Sequence, residues 1–210
     1  MLTSSISLKN FKSEAKSKNL KKRLVNILKN KNEVIESLGK SYKNNFSKKQ
    51  LNKYKKSSNY RVIGMGGSTL GTQTIYQFLG DKIKKNFLFI DNLQGHKKNN
   101  EKKNYTNLII SKSGNTIETI ANCNILVQKK DKNIFITEKN GNYLQLLAEK
   151  LKSDIVHHNN YIGGRYSVLS EVGMLPAELM GLKSRNFKQL NFLIKNKNFL
   201  NALILNVSST

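Results

Sequence analysis

From Tyr60 onward the sequence alternates short apolar runs with longer amphipathic segments. This alternation predicts βαβ units, in which parallel strands form one sheet and the connecting helices cover both of its faces. The fold class is therefore α/β with a five-stranded parallel sheet. The predicted strands are Tyr60–Gly64, Phe87–Asp91, Asn107–Ser111, Asn133–Thr137 and Asp154–His157, and the predicted helices between them are Leu70–Leu79, Thr116–Gln128 and Tyr143–Leu151.

Helical patterns precede and follow the predicted sheet in the sequence. Apolar residues recur at helical spacing from Leu20 to Leu38, Gly39 is a suitable end for that helix, and a short helix is predicted at Ser47–Lys56. We expect this arm to cover one side of the sheet. Beyond the sheet, helices are predicted at Leu169–Met180, at Asn186–Ile194 and from about Phe199.

These patterns divide the chain into three parts. Residues 1–58 form an amino-terminal helical segment, residues 59–184 form the α/β domain, and residues 185–210 form the helical start of a missing second domain. The last stretch, Leu203–Thr210, carries no signal of a domain boundary, so we expect an interruption there.

The single cysteine, Cys123, lies among apolar neighbours. One cysteine cannot build a disulfide framework, and a buried, unreactive thiol is favoured here over a nucleophile. Met1–Asn10 lacks the apolar core of a secretion signal, and no apolar run reaches the length needed to span a membrane. We therefore expect a cytoplasmic protein with no membrane partner.

The formal net charge of the chain is +24. Such a charge would suit nucleic acid or an anionic membrane, because clustered Lys and Arg displace counterions from phosphate groups. Here the lysines are spread along the chain, usually beside asparagine, and are not interleaved with aromatic residues in one patch. A general bias toward Lys and Asn explains them better than a nucleic-acid surface, and the charge still helps to attract an anionic metabolite.

The first specialised loop, Gly64–Gly71, follows the first predicted strand. Its glycines let backbone amides approach an anion, and the next helix points its amino end at the same place. Thr69 stands where a dinucleotide-binding loop has its third glycine, and no Lys-Ser or Lys-Thr pair follows as a Walker loop requires. A simple tight turn and a phosphate site both remain open, and the hydroxyl of Ser68 favours the phosphate site.

The second loop, Ser111–Thr116, joins a strand to a helix. Its three hydroxyls and exposed amides are donors for phosphate oxygens, and hydrogen bonds to an anion are of the stronger kind. An ordinary helix cap needs only one such residue and leaves the others unexplained. We therefore interpret this loop as a phosphate-binding site.

The third loop, Gly163–Ser170, carries Arg165 directly behind two glycines. An arginine in this setting can approach a ligand closely, keeps its charge, and suits an oxyanion or enediolate that develops during a reaction. The alternative is an arginine that pairs with the carboxylate of Glu171 on the next helix. The residues alone leave both interpretations open.

Together the three loops resemble the glucose-6-phosphate isomerase family. The matching stretches are G-x-G-G-S-x-L-G at Gly64–Gly71, S-K-S-G-N-T at Ser111–Thr116, and G-G-R-Y-S-V-L-S followed by V-G-x-L-P at Gly163–Pro176. The second stretch is typical of sugar isomerase (SIS) domains in general, whereas the third is much more specific. The resemblance covers about Tyr60–Gly181 well and the amino-terminal helices only loosely.

The resemblance implies a flavodoxin-like SIS domain from an enzyme of glycolysis and gluconeogenesis. Such an enzyme interconverts glucose 6-phosphate and fructose 6-phosphate through a cis-enediol, needs neither cofactor nor metal, and works as a homodimer. By resemblance, Arg165 stabilises the enediolate beside the backbone of Gly164. The residues that would hold the sugar phosphate are Gly67, Ser68, Ser111, Lys112, Ser113 and Thr116.

The family takes its general base, a glutamate, from a later segment, together with a histidine and a lysine that assist ring opening. The chain contains none of these three motifs, so we expect it to lack isomerase activity by itself. Its other candidates for acid–base chemistry are His96, His157, His158, Glu118 and Glu171. His96 lies in a Lys/Asn-rich loop, His157 and His158 end a strand, and the two glutamates lie in helices at positions that the family does not use for chemistry. Structural or surface roles are expected for all five.

Three other functions are compatible with parts of the pattern. A non-catalytic SIS module would sense a phosphosugar in a regulator, and a bifunctional phosphoglucose/phosphomannose isomerase fits because the residues that choose between epimers are not in the chain. A basic nucleic-acid-binding protein would suit the net charge, but the chain has no motif of interleaved basic and aromatic residues.

Overall fold

The computed structural model describes residues 18–30, 32–93, 104–189 and 195–208. They include a five-stranded sheet in the order β2-β1-β3-β4-β5, in which every neighbouring pair is parallel. The α/β fold class is confirmed, and each predicted strand end agrees with the structure to within one residue. The strands are β1 Asn59–Gly64, β2 Asn86–Ile90, β3 Thr106–Ile110, β4 Lys132–Thr137 and β5 Asp154–His157.

The predicted helices between the strands are also confirmed, with ends that differ by at most two residues. The same holds for the helices predicted at Leu169–Met180 and from about Phe199. The described α-helices are α1 Lys18–Lys29, α2 Glu33–Ser37, α3 Lys48–Tyr54, α4 Leu70–Phe78, α5 Ile117–Leu126, α6 Tyr143–Lys150, α7 Glu171–Leu179 and α8 Lys197–Ser208.

Two helix predictions need correction. The continuous helix expected from Leu20 to Leu38 is wrong, because the Asn32 side chain accepts a hydrogen bond from the amide of Val34 and starts the separate helix α2. The helix expected at Asn186–Ile194 lies partly outside the described residues. Its described part holds only the end of a 3-10 turn, Ser184–Asn186.

Helices cover both faces of the sheet. On one face Ile63, Ile109 and Phe135 of neighbouring strands pack against Cys123 of α5 and Leu144 of α6, and all five side chains are buried. Full burial of an aliphatic or aromatic side chain contributes roughly 1.5–3 kcal/mol. This layer therefore supplies much of the stability of the sheet.

The opposite face of the sheet is covered by α4. The ring of Tyr76 lies 5.5 Å from the ring of Phe87 and 5.8 Å from that of Phe89 on β2. Phe87 stacks in turn on Tyr60 of β1, with ring centroids 4.7 Å apart. Because α4 and α5 lie on opposite faces, the loops that lead into them leave β1 and β3 in opposite directions.

The chain forms two compact units. Lys43–Arg185 contains the sheet with α3 to α7, and here Tyr54 of α3 donates its hydroxyl to the carbonyl of Asn133 at 2.9 Å and reaches Asp154 Oδ2 at 2.7 Å. The expected packing of the amino-terminal arm on the sheet is confirmed for α3.

The second unit comprises Met1–Tyr42 and Asn186–Thr210. Its helices α1 and α8 contact each other beside an apolar cavity of about 210 Å³. The cavity is lined by Leu20, Arg23, Leu24, Ile27, Leu203, Ile204 and Val207.

No helix among the described residues is both long enough and apolar enough to cross a membrane.

Candidate anion-binding site at the strand ends

The order of the strands reverses direction at β1, which has β2 on one side and β3 on the other. Ligands of open parallel sheets bind outside the carboxyl ends of the strands at such a point. The loops that leave the sheet here are Gly64–Gly71 and Ser111–Thr116. Gly64 is paired in register with Ile110, so the two loops begin side by side.

The loop that carries Arg165 lies against the first of these loops. A β-carbon on Gly67 would overlap the carbonyl group of Gly164, so the two backbones are in direct contact. Ser167 Oγ donates to the carbonyl of Gly164 at 2.8 Å and also lies 3.3 Å from that of Gly67. Arg165 itself is exposed to solvent. The predicted site residues Gly67, Gly164 and Arg165 are therefore brought together.

The helices that follow the two central loops have no side-chain cap. The N-cap residues are Thr69 for α4 and Thr116 for α5, and neither side chain accepts a hydrogen bond from its helix. By contrast, α3 and α6 are capped by Ser47 and Asn142. The first amides of a helix have no intrahelical acceptor, and the helix dipole favours negative charge there. The amino ends of α4 and α5 are thus suited to an anion.

The hydroxyls of the Ser111–Thr116 loop divide into supporting and outward-facing groups. Ser111 is 2% exposed, and its Oγ lies 2.9 Å from Thr116 Oγ1 and accepts the amide of Gly114 at 3.2 Å. Ser113 is exposed, and its Oγ accepts the amide of Asn115 at 3.3 Å. The hydroxyl proton of Ser113 is not used in that contact and can be donated to a ligand. The ordinary helix cap, considered as the alternative for this loop, is not formed.

The amino end of α6 supports the same loop. Gly114 has a φ of +67°, and a β-carbon there would overlap the side chain of Asn142. The amide of Leu144 donates to the Gly114 carbonyl at 3.1 Å, and Asn142 Nδ2 donates to Thr137 Oγ1 at 3.0 Å. Asn142 was not among the predicted site residues, although the capping-box pattern of Asn142 with Gln145 is readable in the sequence.

Lys112 and Ser68 hold less central positions among the predicted phosphate ligands. Lys112 Nζ lies 3.1 Å from Glu138 Oε1, a partner that the sequence analysis did not identify, and the lysine side chain is 32% exposed. A partly exposed pair of this kind contributes about 0–1 kcal/mol, so a phosphate can compete for the ammonium group. Ser68 is half-buried in the 3-10 turn Gly66–Ser68, directly before α4.

The other acid–base candidates among the described residues lie in different elements of the fold. His158 and Glu171 form a buried pair, in which His158 Nδ1 lies 2.9 Å from Glu171 Oε1. The carboxylate of Glu171, which was the alternative partner for Arg165, is thus paired with His158. His157 is half-buried at the end of β5, and Glu118 lies in the first turn of α5. His96 lies outside the described residues.

The family model of phosphoglucose isomerase matches residues 7–193. The chain belongs to the phosphoglucose isomerase family. Curated relatives include the glucose-6-phosphate isomerase of Methanocaldococcus jannaschii, 38% identical over 63% of this chain and 36% of that protein. The glucose-6-phosphate isomerase of Mycoplasma mycoides is 34% identical over 66% of this chain and 36% of that protein. The chain thus spans about a third of the length of these relatives.

Solved structures agree with this phosphoglucose isomerase family assignment at the level of the fold. A hypothetical protein from Thermus thermophilus superposes with a TM-score of 0.64 at 18% identity, over 90% of this chain and 51% of that one. Tagatose-6-phosphate ketose/aldose isomerase from Escherichia coli gives a TM-score of 0.51 at 15% identity, over 72% and 48%. Identities this low establish the shared SIS-like fold alone.

Proposed function

We propose that this chain is the phosphate-binding portion of a glucose-6-phosphate isomerase. The complete enzyme interconverts glucose 6-phosphate and fructose 6-phosphate in the cytoplasm by proton transfer through a cis-enediol. Membership of the phosphoglucose isomerase family supports this reaction class. Residues 59–184 are the SIS domain in this proposal, residues 185–210 begin a second domain, and the complete protein is a homodimer.

One observation carries the proposal. The Gly64–Gly71 and Ser111–Thr116 loops leave the sheet side by side at the point where strand order reverses, and each leads into a helix without a side-chain cap. The contact between Gly67 and Gly164 adds the Arg165 loop to the same edge. Hydroxyls, free helix amides and a guanidinium in one place are the donors that a phosphorylated sugar requires.

The proposed roles follow from the position of each group. Ser113, Thr116 and the first amides of α5 hold the phosphate, and Ser111 is buried and supports Thr116. Gly67 and Ser68 approach the phosphate from the start of α4, and Lys112 provides charge when it leaves Glu138. Arg165 faces solvent and stabilises the negative charge of the enediolate, since a guanidinium stays charged at every relevant pH.

Proton transfer needs a general base within hydrogen-bond reach of the carbon-bound proton. His158 and Glu171 are engaged with each other in the interior and are not available for that role. We therefore expect residues 1–210 to bind the substrate without turning it over. A coupled assay for fructose 6-phosphate isomerisation should give only background rates.

The binding site can be tested by NMR titration of the ¹⁵N-labelled chain with fructose 6-phosphate, inorganic phosphate and fructose. Fructose 6-phosphate and inorganic phosphate should shift the amide signals of residues 66–72 and 113–119, whereas fructose should leave those signals unchanged. Fructose shifts of the same size, or phosphate shifts confined to other surfaces, would contradict the proposal. Phosphate and fructose 6-phosphate that compete for the same amides would support it.

A further inference from the structure

Two buried titratable residues bound the turn that carries Arg165. His158 directly precedes residues 159–170, and Glu171 directly follows them. The His158 and Glu171 side chains are 1% and 0% exposed, and His158 Nδ1 lies 2.9 Å from Glu171 Oε1. The two ends of the turn are therefore joined through the side chains of this pair.

The contacts of Glu171 set the charge of its carboxyl group. Glu171 Oε1 also accepts the amide of Asn159 at 2.8 Å. Burial by itself raises the pKa of Glu171. The hydrogen bonds from His158 and Asn159, together with the His158 charge, outweigh burial, so the pKa of Glu171 lies below its usual value. The carboxylate is thus ionised and can only accept hydrogen bonds.

The second ring nitrogen of His158 also faces an acceptor. Nε2 lies 2.9 Å from the carbonyl oxygen of Ile162. A carbonyl oxygen can only accept a hydrogen bond, so Nε2 is placed to donate to Ile162. His158 and Glu171 therefore form a buried, hydrogen-bonded pair in which both ring nitrogens have a partner.

This pair fixes the backbone on both sides of Arg165. Ile162, which accepts from His158 and whose own amide donates to the Asn159 carbonyl at 3.1 Å, directly precedes Gly163 and Gly164. On the other side, Ser170 Oγ donates to the Ser167 carbonyl at 2.7 Å, and Ser170 is the N-cap of α7, whose first residue is Glu171. The exposed guanidinium thus extends from a turn whose base is held in the interior.

We propose that His158 and Glu171 are positioning residues, which hold the turn 159–170 so that Arg165 meets the sugar end of a phosphorylated ligand. The inference rests on the proposed function for the identity of that ligand. The phosphate end is held by loops on other strands, so the pair should affect the sugar end alone. A buried pair of titratable groups need not add net stability, which leaves room for such a role.

The positioning of the turn can be tested without any ligand. Glu171→Gln keeps the side-chain volume, and His158→Gln keeps one donor, so the two variants are compared with Glu149→Gln on the exposed end of α6. Hydrogen exchange of the Asn159 and Ile162 amides should rise about tenfold or more in both variants, with β3 and β4 unchanged. Unchanged exchange in the turn, or an equal rise throughout the sheet, would overturn the inference.

Ligand binding tests whether the pair of His158 and Glu171 acts through Arg165. The probes are inorganic phosphate and 6-phosphogluconate, whose carboxylate lies at the end away from its phosphate. Glu171→Gln should weaken 6-phosphogluconate binding about tenfold and phosphate binding less than twofold, and adding Arg165→Ala should cause little further loss. Additive losses, or equal losses for both probes, would overturn it.

The same experiments separate the two proposals. A wild-type chain that binds neither probe would contradict the proposed function, and the exchange comparison would still decide whether the pair holds the turn. A wild-type chain that binds both probes, with a variant that loses both equally, would contradict the positioning role while the proposed function stands.

Discussion

The backbone of Gly67 lies against the carbonyl group of Gly164, with no room for a β-carbon between them. The two glycines belong to loops that follow β1 and β5. Their contact sets the distance between the amino end of α4 and the turn that carries Arg165. The geometry of the candidate site therefore depends on the absence of one side chain.

Gly67→Ala should separate these loops. The added methyl group meets backbone, which cannot move aside as a flexible side chain would, so we expect a loss of about 1–3 kcal/mol in the free energy of unfolding and weaker binding of fructose 6-phosphate. Gly80→Ala is the matched control, because no atom lies within 4 Å of its new β-carbon and Gly80 is outside the candidate site. Urea unfolding and calorimetric binding measure both effects, and equal losses in the two variants would refute the argument.

Thr116→Val tests the phosphate loop. The substitution keeps the shape and removes the hydroxyl that lies 2.9 Å from Ser111 Oγ. A hydrogen bond to a charged group is worth about 1.5–3 kcal/mol, so affinity for inorganic phosphate and fructose 6-phosphate should fall about tenfold to a hundredfold. Thr74→Val removes an exposed helix hydroxyl and should change neither affinity. Retained phosphate affinity in Thr116→Val would remove this residue from the site.

Cys123 should be inert in the folded protein. It is 1% exposed, and burial raises the pKa of its thiol to about 12. At pH 8 the thiolate fraction is then about a thousandfold smaller than that of an ordinary thiol, and the thiolate is the reactive form. Ellman's reagent should react slowly with the native chain and rapidly in denaturant. Fast labelling of the native chain would show that α5 opens readily.

Acid should weaken the contact of α3 with the sheet. Burial by itself raises the pKa of Asp154, but hydrogen bonds from Lys53 and Tyr54 and the Lys53 charge lower it below its usual 3.8. A depressed folded-state pKa means that the stabilisation is present above the unfolded-state pKa and is lost as the pH falls through the folded-state value. Asp154→Asn should therefore reduce stability at pH 7, with a smaller difference from wild type near pH 3. Exposed Asp81→Asn is the control, and a constant Asp154→Asn difference across this range would contradict the assignment.

The strands and the central loops could be predicted because the signals are local. Buried parallel strands such as Thr106–Ile110 contain a run of apolar residues, here Leu108–Ile110, and the loop that follows begins where the run ends. The break between α1 and α2 was not predicted, because Asn32 overrides a regular apolar spacing through one side-chain hydrogen bond. Such competition between a side chain and the helix is decided by a single contact.

The inner structure of the site could not be predicted for a different reason. The pairing of His158 with Glu171 joins residues on either side of a turn, and Glu138, which directly follows β4, reaches Lys112 after β3. Sequence patterns report which face or loop a residue occupies, but not which of several polar groups on converging elements become partners. The choice of Arg165 as a site residue remains a prediction, as do the six phosphate ligands.

The contact of Gly114 with Asn142 has a consequence for how the protein can evolve. Asn142 caps α6 and also occupies the space that a side chain at position 114 would need. A larger residue at 114 would displace the asparagine and expose the start of α6, whereas a smaller residue at 142 would free space but remove the cap. These two positions are thus expected to vary only in concert, and a library that randomises both together should yield functional pairs that neither single library contains.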